Sequence, residues 1–177
     1  DVIFLTSGEA GGHGRSRDET LRMREAEAAT AAQILGIGSF DFWREPDGAL
    51  EASPKNITRM YDAIMRSNPD TIFVTHSDEM HADHRAAEQI VRAAVGMCNG
   101  NAPNVLMYEV WTPMSTMDHI EDITAHMPVK LEAVRAYRSQ CDVMAFDEAI
   151  AGLNRYRGEM HSWPGGPYAE VFREMKL

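Results

Sequence analysis

Between Thr75 and His84 the chain reads T-H-S-D-E-M-H-A-D-H, which packs three histidines and three carboxylic acids into ten positions. The most specific element is His81-Ala82-Asp83-His84. If a helix begins near Asp83, His84 lies in its first turn and His81 just before it, so both rings can face one cavity. A neutral imidazole is a good zinc ligand, and a carboxylate one residue away can hold its tautomer. The pair can also divide the work, with one ring on a metal and the other polarising a substrate. A plain polar loop stands beside these readings, because Asp83 also suits the start of a helix as an N-cap. Spacing alone leaves all three open. A catalytic zinc site takes three protein ligands, and this pair supplies at most two.

Other reactive residue types are less patterned. Cys98 and Cys141 fall in helical contexts with no local histidine partner and read as structural thiols. His13 sits among glycines, where a solvated loop histidine is the simplest reading. His119, His126 and His161 have no patterned partner. Arg24 and Glu27, three apart on one helix face, read as a surface ion pair.

The elements that must position the histidines are legible around them. Val2–Thr6 is a buried-strand pattern, followed by the glycine-rich loop S-G-E-A-G-G-H-G at Ser7–Gly14. No Lys-Ser/Thr follows that loop, so it is not a P-loop. Ser16-x-x-Glu19 has capping-box spacing and opens a helix to about Leu35, ahead of Gly36 and Gly38. Phe40–Trp43 is a short strand and Pro46-Asp47-Gly48 a turn. Ser53-Pro54 starts a helix whose Ile57, Met60, Tyr61, Ile64 and Met65 follow helical apolar spacing. Thr71–Thr75 is a buried strand that feeds the histidine loop and a helix from about Asp83 to Val95. A polar loop spans Asn99–Asn104 and a strand Val105–Val110. Pro128 falls in the first turn of a helix carrying Leu131, Val134 and Tyr137. Asp142 is placed as the cap of a further helix with Val143, Phe146, Ile150 and Leu153 on one side, ending at Gly158. Tyr168, Val171, Phe172 and Met175 suggest a last short helix. Strands alternating with helices predict an α/β fold with a mainly parallel sheet, whose carboxyl edge is where ligands bind.

Composition narrows the function classes. At 177 residues and 44% hydrophobic, the chain suits one domain over residues 1–177. A net charge of −10 argues against nucleic acid and anionic membranes as partners. No apolar stretch approaches the roughly 20 residues that span a bilayer. Two cysteines make no disulfide framework, which fits a cytoplasmic location. The twelve methionines follow helical patterns and read as core filler.

Several stretches together resemble the LmbE-like (PIG-L) N-acetylglucosaminyl deacetylase family: T-S-G-E-A-G-G, R-x-x-E before A-A-x-I-L-G-I, P-D-G, and T-H-S-D-E-M-H-A-D-H-R-A-A. Y-E-V-W-T-P (Tyr108–Pro113), the Asp122–Gln140 run and N-R-Y-R-G (Asn154–Gly158) extend the likeness along nearly the whole chain. The resemblance implies a Rossmann-like three-layer sandwich, a mononuclear zinc site at the carboxyl edge of its sheet, and hydrolysis of an N-acyl group, usually acetyl on a glucosamine-type amine. It implies that His84 is a zinc ligand and that His81 stabilises the tetrahedral oxyanion or protonates the leaving amine. Asp83 would orient a neighbouring imidazole. Arg24, more loosely Asp47, and Glu9 in the loop bordering the pocket would meet the substrate. His76 and Asp78 become rim residues.

One part of the family pattern is missing. Its His-Pro-Asp-Asp signature, which the resemblance places at the end of a first strand, does not occur in these residues. Asp1–Thr6 then corresponds to the second strand, and the expectation is that the sequence is a piece of a longer chain or that another segment fills the gap. Zinc is the expected cofactor, and an N-acetylated amino sugar or glycoconjugate the expected small-molecule partner. Homo-oligomerisation has no sequence signal either way. Two alternatives remain: a non-catalytic sugar-binding or scaffold relative that has lost the first metal motif, and a hydrolase of a thiol-linked amide conjugate. Trp111, Trp163 and His161–Tyr168 read as either a lid or core.

Overall fold

The computed structural model describes every residue except Asn99 and Asn101, so part of the expected loop at Asn99–Asn104 lies outside the described residues. In chain order the elements are β1 (Val2–Phe4), α1 (Arg17–Ile34), β2 (Phe40–Phe42), α2 (Pro54–Ser67), β3 (Thr71–Thr75) and α3 (Ala82–Gly96). They continue with β4 (Asn104–Tyr108), β5 (His119–Asp122), α4 (Met127–Ala136), α5 (Arg138–Cys141), α6 (Phe146–His161) and β6 (Ala169–Glu174). The chain forms two compact units, one of Asp1–Asp47 with Ile120–Glu170, the other of Gly48–His119 with Val171–Leu177.

In the first unit β1 pairs parallel with β2, Val2 opposite Phe40 and Phe4 opposite Phe42. The capping box predicted at Ser16 is present. The Ser16 hydroxyl accepts from the Glu19 amide at 3.3 Å, and the Glu19 carboxylate accepts from the Ser16 amide at 3.0 Å. Ala28, Ala31 and Ala32 of α1 are buried, as are Met127 and Ala133 of α4, which packs against α1. Glu27 does not simply cover the surface with Arg24. Its carboxylate accepts from both the amide and hydroxyl of Ser139 on α5, at 2.8 and 2.6 Å.

The second unit holds β3, β4 and α2 packed on α3. Ser53 caps α2 with its hydroxyl, Pro54 occupies the first turn, and Asn68 closes the helix in the left-handed region at φ 44°. β3 and β4 pair parallel from Thr71–Asn104 to Thr75–Tyr108. The core is formed by Ile90, Val91, Ala94 and Val95 of α3, Met60 and Ile64 of α2, Val74 of β3 and Met107 of β4. The strand order is β3-β4-β6-β5.

The α/β class is as expected, but the sheet is only partly parallel, since β6 runs antiparallel to β4 with Met107 opposite Arg173. The predicted last helix is therefore a strand. Ala169, Val171 and Phe172 are all buried, as in a strand covered on both faces, and such a run shows no clean period of two. β5 carries too little apolar pattern to stand out in the sequence. Asp142 does not cap the long helix: it closes the four-residue α5, and α6 begins only at Phe146, leaving Val143 and Met144 exposed. Gly158 does not end α6 but lies inside it. A Cβ there would sit 2.2 Å from the Pro167 carbonyl carbon, so the glycine serves a close backbone approach. Met65 and Phe73, expected to be buried, are each 57% exposed.

Candidate active site

The histidine stretch begins where β3 ends. The His76 amide donates to the Tyr108 carbonyl at 3.1 Å, extending the strand pairing by one residue. His76 is only 1% exposed, so it is not a rim residue. Its Nδ1 accepts from the Asp78 amide at 3.2 Å, which leaves the ring proton on Nε2, 2.7 Å from the Thr112 carbonyl. His76 thus ties the loop to the segment after β4. Asp78 is exposed and pairs with Arg173 at 3.0 Å, a bond that holds its carboxyl below the usual carboxylate range.

Glu79 organises the loop. It is 1% exposed, and one carboxylate oxygen accepts from the amides of Val110, Trp111 and Thr112 at 3.1, 2.8 and 2.8 Å. The other oxygen lies 3.2 Å from His84 Nδ1. Burial pushes the Glu79 carboxyl up, but the amides of Thr112 and Val110, with His84 and Trp111, outweigh it and hold the pKa below the ordinary value. A carboxylate can only accept, so His84 Nδ1 donates and Nε2 keeps the lone pair. Burial is also the main influence on His84, lowering its pKa against the opposing charge of Glu79 and keeping the ring neutral. The His84 carbonyl accepts from the Thr75 hydroxyl at 2.8 Å, which fixes the backbone beneath the ring.

His81 is the N-cap residue of α3, but its side chain makes no capping bond. Its ring lies 4.8 Å from that of His84, and its buried Nδ1 has no hydrogen-bond partner. The two imidazoles therefore come together as the spacing predicts. Asp83 does not point at a ring. Its two oxygens accept from the amides of Gly48 and Leu50 at 2.7 and 3.1 Å, and the carboxylate facing an imidazole is Glu79. The reason is helical geometry: consecutive residues on a helix diverge, so Asp83 and His84 cannot face one another. Glu79, outside the helix on the preceding loop, can turn back toward His84. The signal for it is a third acid within the histidine stretch, and sequence adjacency points to the wrong one.

A catalytic zinc asks for three protein ligands. His84, with Nδ1 on a carboxylate and Nε2 free, fits one such position. Asp83 has both oxygens engaged by backbone amides. Among the described residues no group of three or more His, Cys, Asp or Glu side chains could hold a metal ion. The stretch fits one zinc ligand and not a complete site.

The remaining predicted site residues lie in the first unit. Glu9 accepts from the Asp47 amide at 2.9 Å, while Asp47 accepts from the Ala10 amide at 2.9 Å and the Thr6 hydroxyl at 3.2 Å. This reciprocal clamp joins the glycine-rich loop to the Pro46–Gly48 turn. Arg24 is buried and donates to the Gly11 carbonyl at 3.2 Å. Burial lowers its pKa while Glu27 and Asp47 raise it, and the guanidinium stays charged at neutral pH. Its Nε and the second oxygen of Glu9 are buried without hydrogen-bond partners.

An α/β, Rossmann-like chain with paired imidazoles at a strand-to-helix junction has the make-up of a hydrolase of the LmbE-like class. Residues 1–95 match the family model described as PIG-L: GlcNAc-PI de-N-acetylase, and the chain belongs to that family. The conserved protein TT1542 of Thermus thermophilus is similar at 29% identity and a TM-score of 0.82, over 98% of this chain and 80% of that one. The N,N'-diacetylchitobiose deacetylase of Pyrococcus horikoshii shares the fold at 23% identity and a TM-score of 0.82, over 98% and 72% of the two chains. The 4-carboxy-2-hydroxymuconate hydratase GalB of Pseudomonas putida does so at 20% identity and a TM-score of 0.81, over 99% and 83%. Among the described residues no helix is long and apolar enough to cross a membrane.

Proposed function

We propose that this chain is an amidohydrolase that removes an acyl group, in the first instance acetyl, from the amine of an N-acetylglucosamine-type substrate. The observation that carries the reading is the His81–His84 pair: two rings 4.8 Å apart, one held with its Nε2 lone pair free and the other with a buried nitrogen that has no partner. Family membership supplies the reaction class. The fold does not, because the same fold carries a hydratase in Pseudomonas putida. Residues 1–177 are read as one LmbE-like domain, acting without nucleic acid or membrane partners and located in the cytoplasm.

Zinc is the proposed cofactor and would supply the Lewis acidity that amide hydrolysis needs, with His84 as one ligand and the others not among the described residues. The side chains of the chain have three tasks. His84 offers a neutral nitrogen, with Glu79 holding its other face. As water adds to the carbonyl carbon, its proton would pass to the aspartate base of the family's His-Pro-Asp-Asp signature. His81 hydrogen-bonds the oxygen that gains charge, and protonated His81 delivers a proton to the nitrogen as the C–N bond breaks. The products are the free amine and acetate. Asp83 holds the Gly48–Leu50 backbone. Arg24, Asp47 and Glu9 are assigned to substrate binding in the first unit. Arg24 is the one that carries a buried unpaired donor.

The decisive measurement is acetate release from N-acetylglucosamine and its glycoconjugates, with metal content measured on the same preparation. In a protein whose metal site is complete, His81→Ala is expected to lose about 10²–10⁴-fold in turnover while keeping the metal content of the parent. His84→Ala is expected to lose both. Residues 1–177 by themselves are expected to bind zinc weakly or not at all. An unmodified protein that binds the sugar, carries no metal and releases no acetate would establish the non-catalytic alternative.

A further inference from the structure

We propose that Glu79 is a positioning residue that sets the tautomer of His84, and that Glu79→Gln inverts it. The argument starts from what the Glu79 carboxylate touches. One oxygen receives three consecutive amides, from Val110, Trp111 and Thr112, at 2.8–3.1 Å. Three N–H groups converging on one atom admit only an acceptor there. The other oxygen meets His84 Nδ1 at 3.2 Å. With glutamate, that second atom accepts, so Nδ1 carries the hydrogen and Nε2 presents its lone pair.

Glutamine has the same shape but not the same symmetry. Its carbonyl oxygen must take the place that receives the three amides, because an NH2 group there would oppose three donors. The NH2 group then faces His84 Nδ1 and donates. Nδ1 must accept, so the imidazole hydrogen moves to Nε2. The lone pair now points at residue 79 and an N–H points where the lone pair had been. A ring turned this way can no longer act as a ligand or acceptor through Nε2, although every backbone bond around it survives.

His76 provides a control within the same loop. Its Nδ1 accepts from the Asp78 amide and its Nε2 faces the Thr112 carbonyl, with the Glu79 oxygen that receives the three amides 3.7 Å away. That atom is still an oxygen in Glu79→Gln, so the Nε2–H tautomer is expected to persist. The effect on turnover rests on the amidohydrolase reading, but the tautomer does not.

The test is long-range proton–nitrogen NMR on protein labelled with nitrogen-15 histidine and dialysed against EDTA, with His84 assigned by the signals lost in His84→Gln. The expected spectrum of the parent has His84 as Nδ1–H and His76 as Nε2–H. In Glu79→Gln, His84 is expected to change to Nε2–H while His76 stays as it was. A parent spectrum with His84 as Nε2–H would overturn the proposal, and so would a Glu79→Gln protein that retains Nδ1–H. Should Glu79→Gln fail to fold, the parent spectrum still decides the first point, and Glu79→Asp, too short to span both partners, should show mixed His84 tautomers. If the tautomer inverts and the parent releases no acetate, the positioning role stands and the hydrolase reading falls.

Discussion

Two loops follow parallel strands in this chain, and both are organised by carboxylates that collect backbone amides. In the first unit, the glycine-rich loop after β1 is closed by Glu9 and Asp47, which bind each other's backbone neighbourhoods. In the second, the histidine loop after β3 is closed by Glu79, which holds three amides with one oxygen and an imidazole with the other. A carboxylate engaged mainly with backbone shapes a loop. One with an oxygen left for a side chain also passes that loop's geometry to a reactive ring. If this contrast is right, removing the second kind should cost more than removing the first.

The largest effect is expected from Glu79→Ala. The side chain is fully enclosed, and its loss strips a shared acceptor from three amides and the partner from His84. Each amide left without a partner costs about 1–3 kcal/mol where water cannot replace it, and the amides here are only partly covered. A net loss of about 3 kcal/mol is expected, read as a lower urea midpoint at unchanged slope. A loss below about 1 kcal/mol would mean that water substitutes freely and that the loop does not depend on this residue.

Glu79 also shows where the sequence stops being legible. The capping box at Ser16, the cap and proline at Ser53-Pro54, and the bounds of β3 follow from local rules, and the structure has each of them. The His81–His84 pairing also follows from local spacing. Local rules do not say which of three acids turns toward which ring. That depends on the Val110–Thr112 segment, about thirty residues away, whose amides pull one Glu79 oxygen and leave the other for His84. The same limit explains β6. Its apolar residues are patterned by β4 on one edge and by cover on both faces, so that Val171 and Phe172 are buried side by side and mimic a helical stripe. Asp83 is misleading for a third reason, because adjacency in sequence is not proximity in space.

Asp83 tests the contrast from within the second unit. It sits in the first turn of α3 and is buried, yet its oxygens hold the Gly48 and Leu50 amides and no ring. Asp83→Ala is therefore expected to cost about 2 kcal/mol, from one buried and one part-buried hydrogen bond to a charged acceptor. The His84 tautomer should be the same as in the parent. If Asp83→Ala alters the tautomer and Glu79→Ala leaves it alone, the roles of the two acids are reversed.

Asp47 should give the smallest effect. Its carboxylate also collects two donors, but the Ala10 amide it serves is exposed and the Thr6 bond at 3.2 Å is only part-buried. Water can take over at an exposed amide, so Asp47→Ala is expected to cost about 1 kcal/mol or less in a urea titration. Asp47→Asn keeps an acceptor for Ala10 and should recover most of that loss. The ordering of Glu79, Asp83 and Asp47 is a claim about burial, not about charge, since all three side chains are carboxylates accepting from main-chain N–H groups. A cost at Asp47 equal to that at Glu79 would show that the glycine-rich loop is closed as tightly as the histidine loop. The distinction between shaping a backbone and positioning a ring would then have no energetic basis.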